Sequence, residues 1–190
     1  MITSKSTWSA IYSATNMPKL SNPSKMPCHS MSIPAQACKV GSVLAKLYNT
    51  VCSNCYALKG MYVLPTVKAL REHNLRLIEE NLAQWEHNSI VLIGKSSSRG
   101  GHFRWFDSGD LQSFKHLMAI IRIALALPKI KFWLPTKEKA LLNELLRQKI
   151  DIPDNLIIRL SMTHVNAPAH NENFLTSTVY THDKKPLGQA

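Results

Sequence analysis

The sequence predicts an α/β domain built on a parallel sheet of βα units, either an open sheet or part of a TIM-like barrel, preceded by a cysteine-rich loop segment. Three observations carry this. Short apolar runs at 102–106, 130–134 and 156–161 alternate with stretches whose apolar residues recur every three or four positions. The connections between them are short, which forces parallel pairing through right-handed crossovers. All four cysteines fall within residues 28–55, ahead of the first βα unit.

With 190 residues the chain reads as one domain, able to bury a core but short for a complete eight-fold barrel. Within it, residues 1–65 form the cysteine-rich, metal-binding segment, 66–162 the βα core and 163–190 a polar tail. Hydrophobic residues at 45% and charged residues at 18% exclude a disordered chain. A net charge of +11 points to an anionic partner, nucleic acid or a nucleotide. Lys5 is followed by a polar stretch where a secretory signal would be apolar. The most apolar run, residues 118–128, is too short to cross a bilayer and contains Arg122. The expected location is therefore the cytoplasm, without membrane association.

Taken in order, residues 1–35 read as loop, with one short element at Trp8–Tyr12. A short helix is predicted at 43–48. Pro65 suits a first helical turn, and Val67, Leu70, Asn74, Ile78, Leu82 and Trp85 then mark one long amphipathic helix over 66–87. The apolar run 89–94 reads as a buried strand, followed by a turn rich in Ser and Gly. After the strand at 102–106, Leu111, Phe114, Leu117, Met118, Ile121 and Leu125 predict a helix that Pro128 stops. Beyond the strand at 130–134, Pro135 and Thr136 read as a turn into a helix at 137–147. The strand at 156–161 leads to a tail with one weak strand at 176–180.

The densest motif is Cys52-Ser-Asn-Cys55, with Cys38 fourteen residues before it and Cys28 ten before that. A C-x-x-C turn brings two sulfurs to one side, so Cys28, Cys38, Cys52 and Cys55 are the candidate ligands of an iron-sulfur cluster, of the 4Fe-4S kind, or of structural zinc. In a reducing compartment this reading outweighs disulfides. His29 and His73 are weaker alternatives. A metal would anchor the N-terminal loop, for which no other anchor is legible.

In parallel sheets ligands sit beyond the carboxyl ends of the strands. There the sequence places Asp107, Ser108 and Asp110, then Thr136 and Lys137, then Arg159 and Ser161 with Thr163 and His164. Asp110, just before a helix, fits an N-cap. Asp107 shares the strand face of Phe103 and Trp105 by alternation and is expected to hold a hydroxyl or amine of a cosubstrate.

The runs MPCHSMSIPAQAC, VCSNCYALKGMY, FRWFDSGDL, FWLPTKE and NLIIRLS, in this order over residues 25–165, resemble the bacteriophage gene-product-88 domain family. The resemblance implies a phage or prophage origin and brings no catalytic assignments. Members commonly continue into a further C-terminal cysteine group, which is not found here. The C-x-x-C-Tyr-Ala run is also similar to that of phage radical-SAM-like proteins, which combine a three-cysteine cluster site with a partial barrel. Their C-x3-C-x2-C spacing is absent, since thirteen residues separate Cys38 from Cys52.

Two readings follow. The first is an iron-sulfur enzyme of radical-SAM-like type acting on nucleic acid or a nucleotide, with Cys38, Cys52 and Cys55 as ligands, Cys28 spare, and S-adenosylmethionine bound at the strand ends. The second is a non-enzymatic nucleic-acid-binding protein stapled by zinc through all four cysteines. A dithiol redox pair at Cys52 and Cys55 ranks below both, because no thioredoxin-like order of elements surrounds it.

Overall fold

The computed structural model describes residues 16–96 and 101–184, so the element expected near Trp8 lies outside the described residues. Five strands, β1 (Ser30–Met31), β2 (His102–Trp105), β3 (Lys131–Thr136), β4 (Leu156–Ser161) and β5 (Leu175–Ser177), lie side by side in chain order and pair in parallel throughout. Among the described residues five helices accompany them: α1 (Lys39–Leu44), α2 (Pro65–Glu80), α3 (Leu82–Ser96), α4 (Phe114–Ala126) and α5 (Lys139–Arg147). When each strand is laid next to the last, every crossover runs the same way, and a constant right hand puts the crossover helices on one face.

The strands show this one-sidedness residue by residue. Phe103, Trp105, Phe132, Leu134, Leu156, Ile158 and Leu160 are buried in the core, together with Trp85 and Ile93 of α3 and Leu117, Ile120 and Ala124 of α4. Their neighbours in sequence, Arg104, Trp133, Ile157 and Arg159, project from the other face, as a two-residue period requires. The Phe103 ring lies 5.1 Å from Trp105 and 5.8 Å from Phe132, edge-on in both cases. Burial is worth about 1.5–3 kcal/mol for a side chain such as Phe, and such ring pairs add about 0.5–1.5 kcal/mol.

The predicted α/β class and the strand-helix alternation from residue 103 to 161 stand. Several local expectations are corrected. Residues 89–94 are not a strand but the second half of α3, because Trp85, Asn88, Ser89, Leu92 and Ile93 form one buried helical stripe. The single helix over 66–87 is interrupted at Asn81 (φ −155°, ψ 86°), whose Oδ1 then accepts the Gln84 amide at 3.0 Å and starts α3. Pro135 and Thr136 belong to β3, where Pro135 pairs with Arg159. The short helix comes earlier, at Lys39–Leu44, and the helix after β3 begins at Lys139. The weak strand expected at 176–180 is β5, paired with β4. β1 falls in a stretch read as loop.

Residues 32–64 cross the carboxyl ends of the strands as a cap of short 3-10 turns with α1. They are tied to each successive loop below. The Ile33 amide donates to Ser108 O (3.1 Å), Gln112 Nε2 to Ala37 O (3.2 Å), the Val40 amide to Glu138 Oε1 (3.0 Å) and the Val51 amide to Thr163 O (2.9 Å). Buried Thr50 closes the turn from below, its Oγ1 donating to Leu44 O at 2.6 Å. The segment expected to depend on a metal for its order is therefore already held by hydrogen bonds to three post-strand loops. No helix among the described residues is long and apolar enough to cross a membrane.

Candidate functional site beneath the cysteine cap

Cys38, Cys52 and Cys55 lie within electrostatic range of one another, and Cys28 is not among their charged neighbours. Burial pushes the Cys38 thiol up to about 12, with Asp110, Cys55, Cys52 and Glu138 all adding in the same direction. Burial also raises Cys52, opposed by the positive charge of Lys137 and reinforced by Cys55 and Asp110. The chain approaches closely here because α1 carries a glycine as its third residue. A Cβ on Gly41 would stand 2.9 Å from the Cys38 Cβ and 3.6 Å from the Sγ of both Cys38 and Cys52. Those two sulfurs thus flank one point and lie no farther apart than twice that distance. Cys28 precedes β1 and has Arg104 as its charged neighbour, which opposes the rise caused by burial. Among the described residues, no three or more His, Cys, Asp or Glu side chains are grouped to hold a single metal ion. All four cysteines are free thiols.

Asp110 links β2 to β3 under the cap. Its Oδ1 accepts from the Leu111 amide (2.8 Å) and Thr136 Oγ1 (2.6 Å), and its Oδ2 accepts from the Lys137 amide (2.8 Å). Burial lifts its pKa to about 6 against the pull of those three donors, and Glu138 raises it further. The expected capping role is corrected: Ser113 caps α4, accepting the His116 amide at 3.1 Å. Asp110 is three residues too early to reach the first free amides of that helix. Lys137 Nζ donates to Met162 O at 3.1 Å, so the lysine spans from β3 to the end of β4.

Asp107 forms a second polar knot. Phe106 takes a left-handed backbone (φ 54°), which ends the strand alternation and turns Asp107 under the cap. Its Oδ1 accepts from Ser30 Oγ (3.1 Å) and Ser32 Oγ, and its Oδ2 from Tyr62 OH (3.1 Å). Arg71 of α2 stands 3.7 Å from Oδ2 with its guanidinium 4.3 Å over the Tyr62 ring. Tyr56 OH donates to the Asp107 carbonyl at 2.6 Å. Ser108 is buried, and its Oγ has no hydrogen-bond partner.

Asp107, Ser108, Asp110, Thr136 and Lys137 thus lie together below the cap. Arg159 and Ser161 do not: Arg159 projects on the open sheet face with NH1 donating to Thr176 O (2.9 Å), and Ser161 Oγ is 3.3 Å from Ser177 Oγ at the β4–β5 seam. His73 Nε2 donates to Met17 O (2.9 Å) and is taken up there. Sequence reasoning missed Ser30, Ser32, Gly41, Tyr56, Tyr62, Arg71 and Glu138. Arg71 left a signal, since it falls on the inward helical stripe with Asn74 and Ile78, where a charge needs a buried partner.

Comparison with curated proteins and with solved structures finds no match. The family model described as Gene product 88 matches residues 4–188, from the segment ahead of the cap to the end of the tail. The chain is therefore a member of the gene product 88 family.

Proposed function

We propose that the chain is an iron-sulfur protein of radical-SAM-like type that acts on nucleic acid or a nucleotide, with Cys38, Cys52 and Cys55 as the cluster ligands. The observation that supports this is the nearness of those thiols under the cap, where Cys38 and Cys52 flank Gly41 and Cys55 acts electrostatically on both. The fit is better for a multi-iron cluster than for zinc. A structural zinc ion needs four donors within about 2.0–2.3 Å of one centre, and the fourth cysteine, Cys28, has Arg104 as its charged neighbour and not the other three thiols. A cluster spans sulfurs set more widely, and the bare Cα of Gly41 leaves the space between two of them open. When bound, such a cluster supplies one-electron chemistry.

The chain's own residues divide the remaining work. Asp110, with its oxygens taken by Thr136, Lys137 and Leu111, is a positioning residue that fixes the start of the β3 loop. Lys137, the cation acting on Cys52, keeps two unused donors and is the group available to the carboxylate of S-adenosylmethionine. Asp107, Ser108 and Thr136 line the same space, while Arg159 and Ser161 serve the substrate side.

The test is anaerobic purification with visible absorbance and iron and sulfide analysis. Cys38→Ser, Cys52→Ser and Cys55→Ser should each lose colour and iron, and Cys28→Ser should keep both. Colourless wild-type protein that carries zinc, or that has four freely titrating thiols, overturns the proposal.

A further inference from the structure

Among the described residues, one face of the sheet carries no helix. Parallel sheets are almost always covered on both faces, yet here all crossover helices lie on one side, and the other presents Trp133 at 40%, Ile157 at 46% and Leu175 at 58% exposure. The register puts Trp133 directly between Arg104 and Ile157. The Arg104 guanidinium stacks on the indole with its carbon 4.5 Å from the ring centroid, and its Nε is buried without a partner. None of the five strands contains an Asp or Glu, whereas Arg104, Lys131 and Arg159 all project on this face.

We propose that this face binds single-stranded nucleic acid, with a base stacked on Trp133 and phosphates held by Lys131, Arg104 and Arg159. The proposal deepens, and rests on, the nucleic-acid part of the function proposed above. Charge argues for the occupant. No Asp or Glu precedes Glu72, while eight of the 23 Lys and Arg do, so the cap bordering the face adds only positive charge. Shape argues for a single strand over a duplex. A sheet surface has no helix or ribbon to enter a groove, but an exposed aromatic on a sheet accepts unstacked bases. The face also leads to the candidate cluster site, since Tyr56, next to Cys55, lies beside Arg104.

The experiment is fluorescence anisotropy with a labelled single-stranded 20-mer of mixed sequence and the matching duplex, over a range of salt, using the full chain. Trp133→Ala should weaken single-strand binding about 5- to 150-fold, the range for losing one stacked base, while Trp133→Phe restores most of it. Lys131→Glu should weaken binding and flatten the salt dependence, by about 0.7 in log–log slope per lost phosphate contact. Melting temperature and iron content of each variant should match wild type. If wild type binds single strands and all three variants bind equally well, this face is refuted while the nucleic-acid reading survives. If wild type binds neither probe at low salt, both fall. Preference for the duplex, or a Trp133-dependent dimer without nucleic-acid binding, also overturns the assignment.

Discussion

His116 should make the fold sensitive to mild acid. It is fully buried in α4, with its ring 4.9 Å from Trp85 and 5.8 Å from Phe106, both edge-on. Nδ1 accepts the Gln112 amide at 3.3 Å, so the proton of the neutral ring sits on Nε2, which has no partner. No acidic side chain is bonded to it, and desolvation alone lowers its pKa from 6.5 to about 3. The folded state thus takes up its proton well below the pH at which the unfolded state does. Stability is fully present above 6.5 and is lost as pH falls from 6.5 towards 3. Linkage gives a loss of about 2 kcal/mol at pH 5 and about 4 kcal/mol by pH 3, since each pKa unit is worth about 1.4 kcal/mol. Urea midpoints measured between pH 8 and pH 5 should fall steadily in wild type. In His116→Gln, which can still accept from Gln112, the curve should start lower and be flatter by about 2 kcal/mol over that range. Parallel curves for the two proteins would refute the reasoning, because other groups would then carry the whole pH dependence.

Three further substitutions probe the cap and its supports. Gly109 has φ 87°, and a Cβ there would meet Ile33 Cγ1 at 2.2 Å and Ile33 O at 2.8 Å; Gly109→Ala should cost at least about 2 kcal/mol in chemical denaturation, from backbone strain and overpacking together. Asp107→Asn leaves the buried Arg71 without its counter-charge, so it should destabilise by about 3–5 kcal/mol. Adding Arg71→Met should recover part of that loss in a thermal melt, and an Asp107→Asn protein as stable as wild type would return the residue to a purely ligand-binding role. Gly41→Ala lies inside α1, where alanine is the better helix former by about 1 kcal/mol. That gain is offset by the new Cβ, which would stand 2.9 Å from the Cys38 Cβ, so the melting temperature should stay level or fall, while iron content drops because the methyl enters the space between Cys38 and Cys52; unchanged iron would argue against the three-thiol centre.

The βα core was legible because its strands declare themselves locally. Residues 156–161 are a compact apolar run with a proline shortly before it, and they are β4 to the residue. The run at 89–94 looked the same over six residues and became helix, since only its position after Trp85 and Asn88 decides which residues share a buried stripe. The cysteine segment was legible as a unit but not in its internal geometry. Sequence spacing sets Cys28 and Cys38 ten apart, yet the two-residue strand β1 runs between them, alongside Arg104 and Trp105 of β2. Cys38, Cys52 and Cys55 follow its carboxyl end, and Cys28 precedes its amino end.

By itself, then, the sequence determined the class of fold, the order of the core strands and the collection of functional candidates at their carboxyl ends. These follow from hydrophobic period, short connections and the handedness of crossovers, which are properties of neighbouring residues. Only the tertiary structure decided that Asp107 answers Arg71, that Asp110 braces β3 instead of capping α4, and that one face of the sheet stays open around Trp133. Each of those depends on which distant groups share a low-dielectric space or a strand register, and no local pattern encodes that.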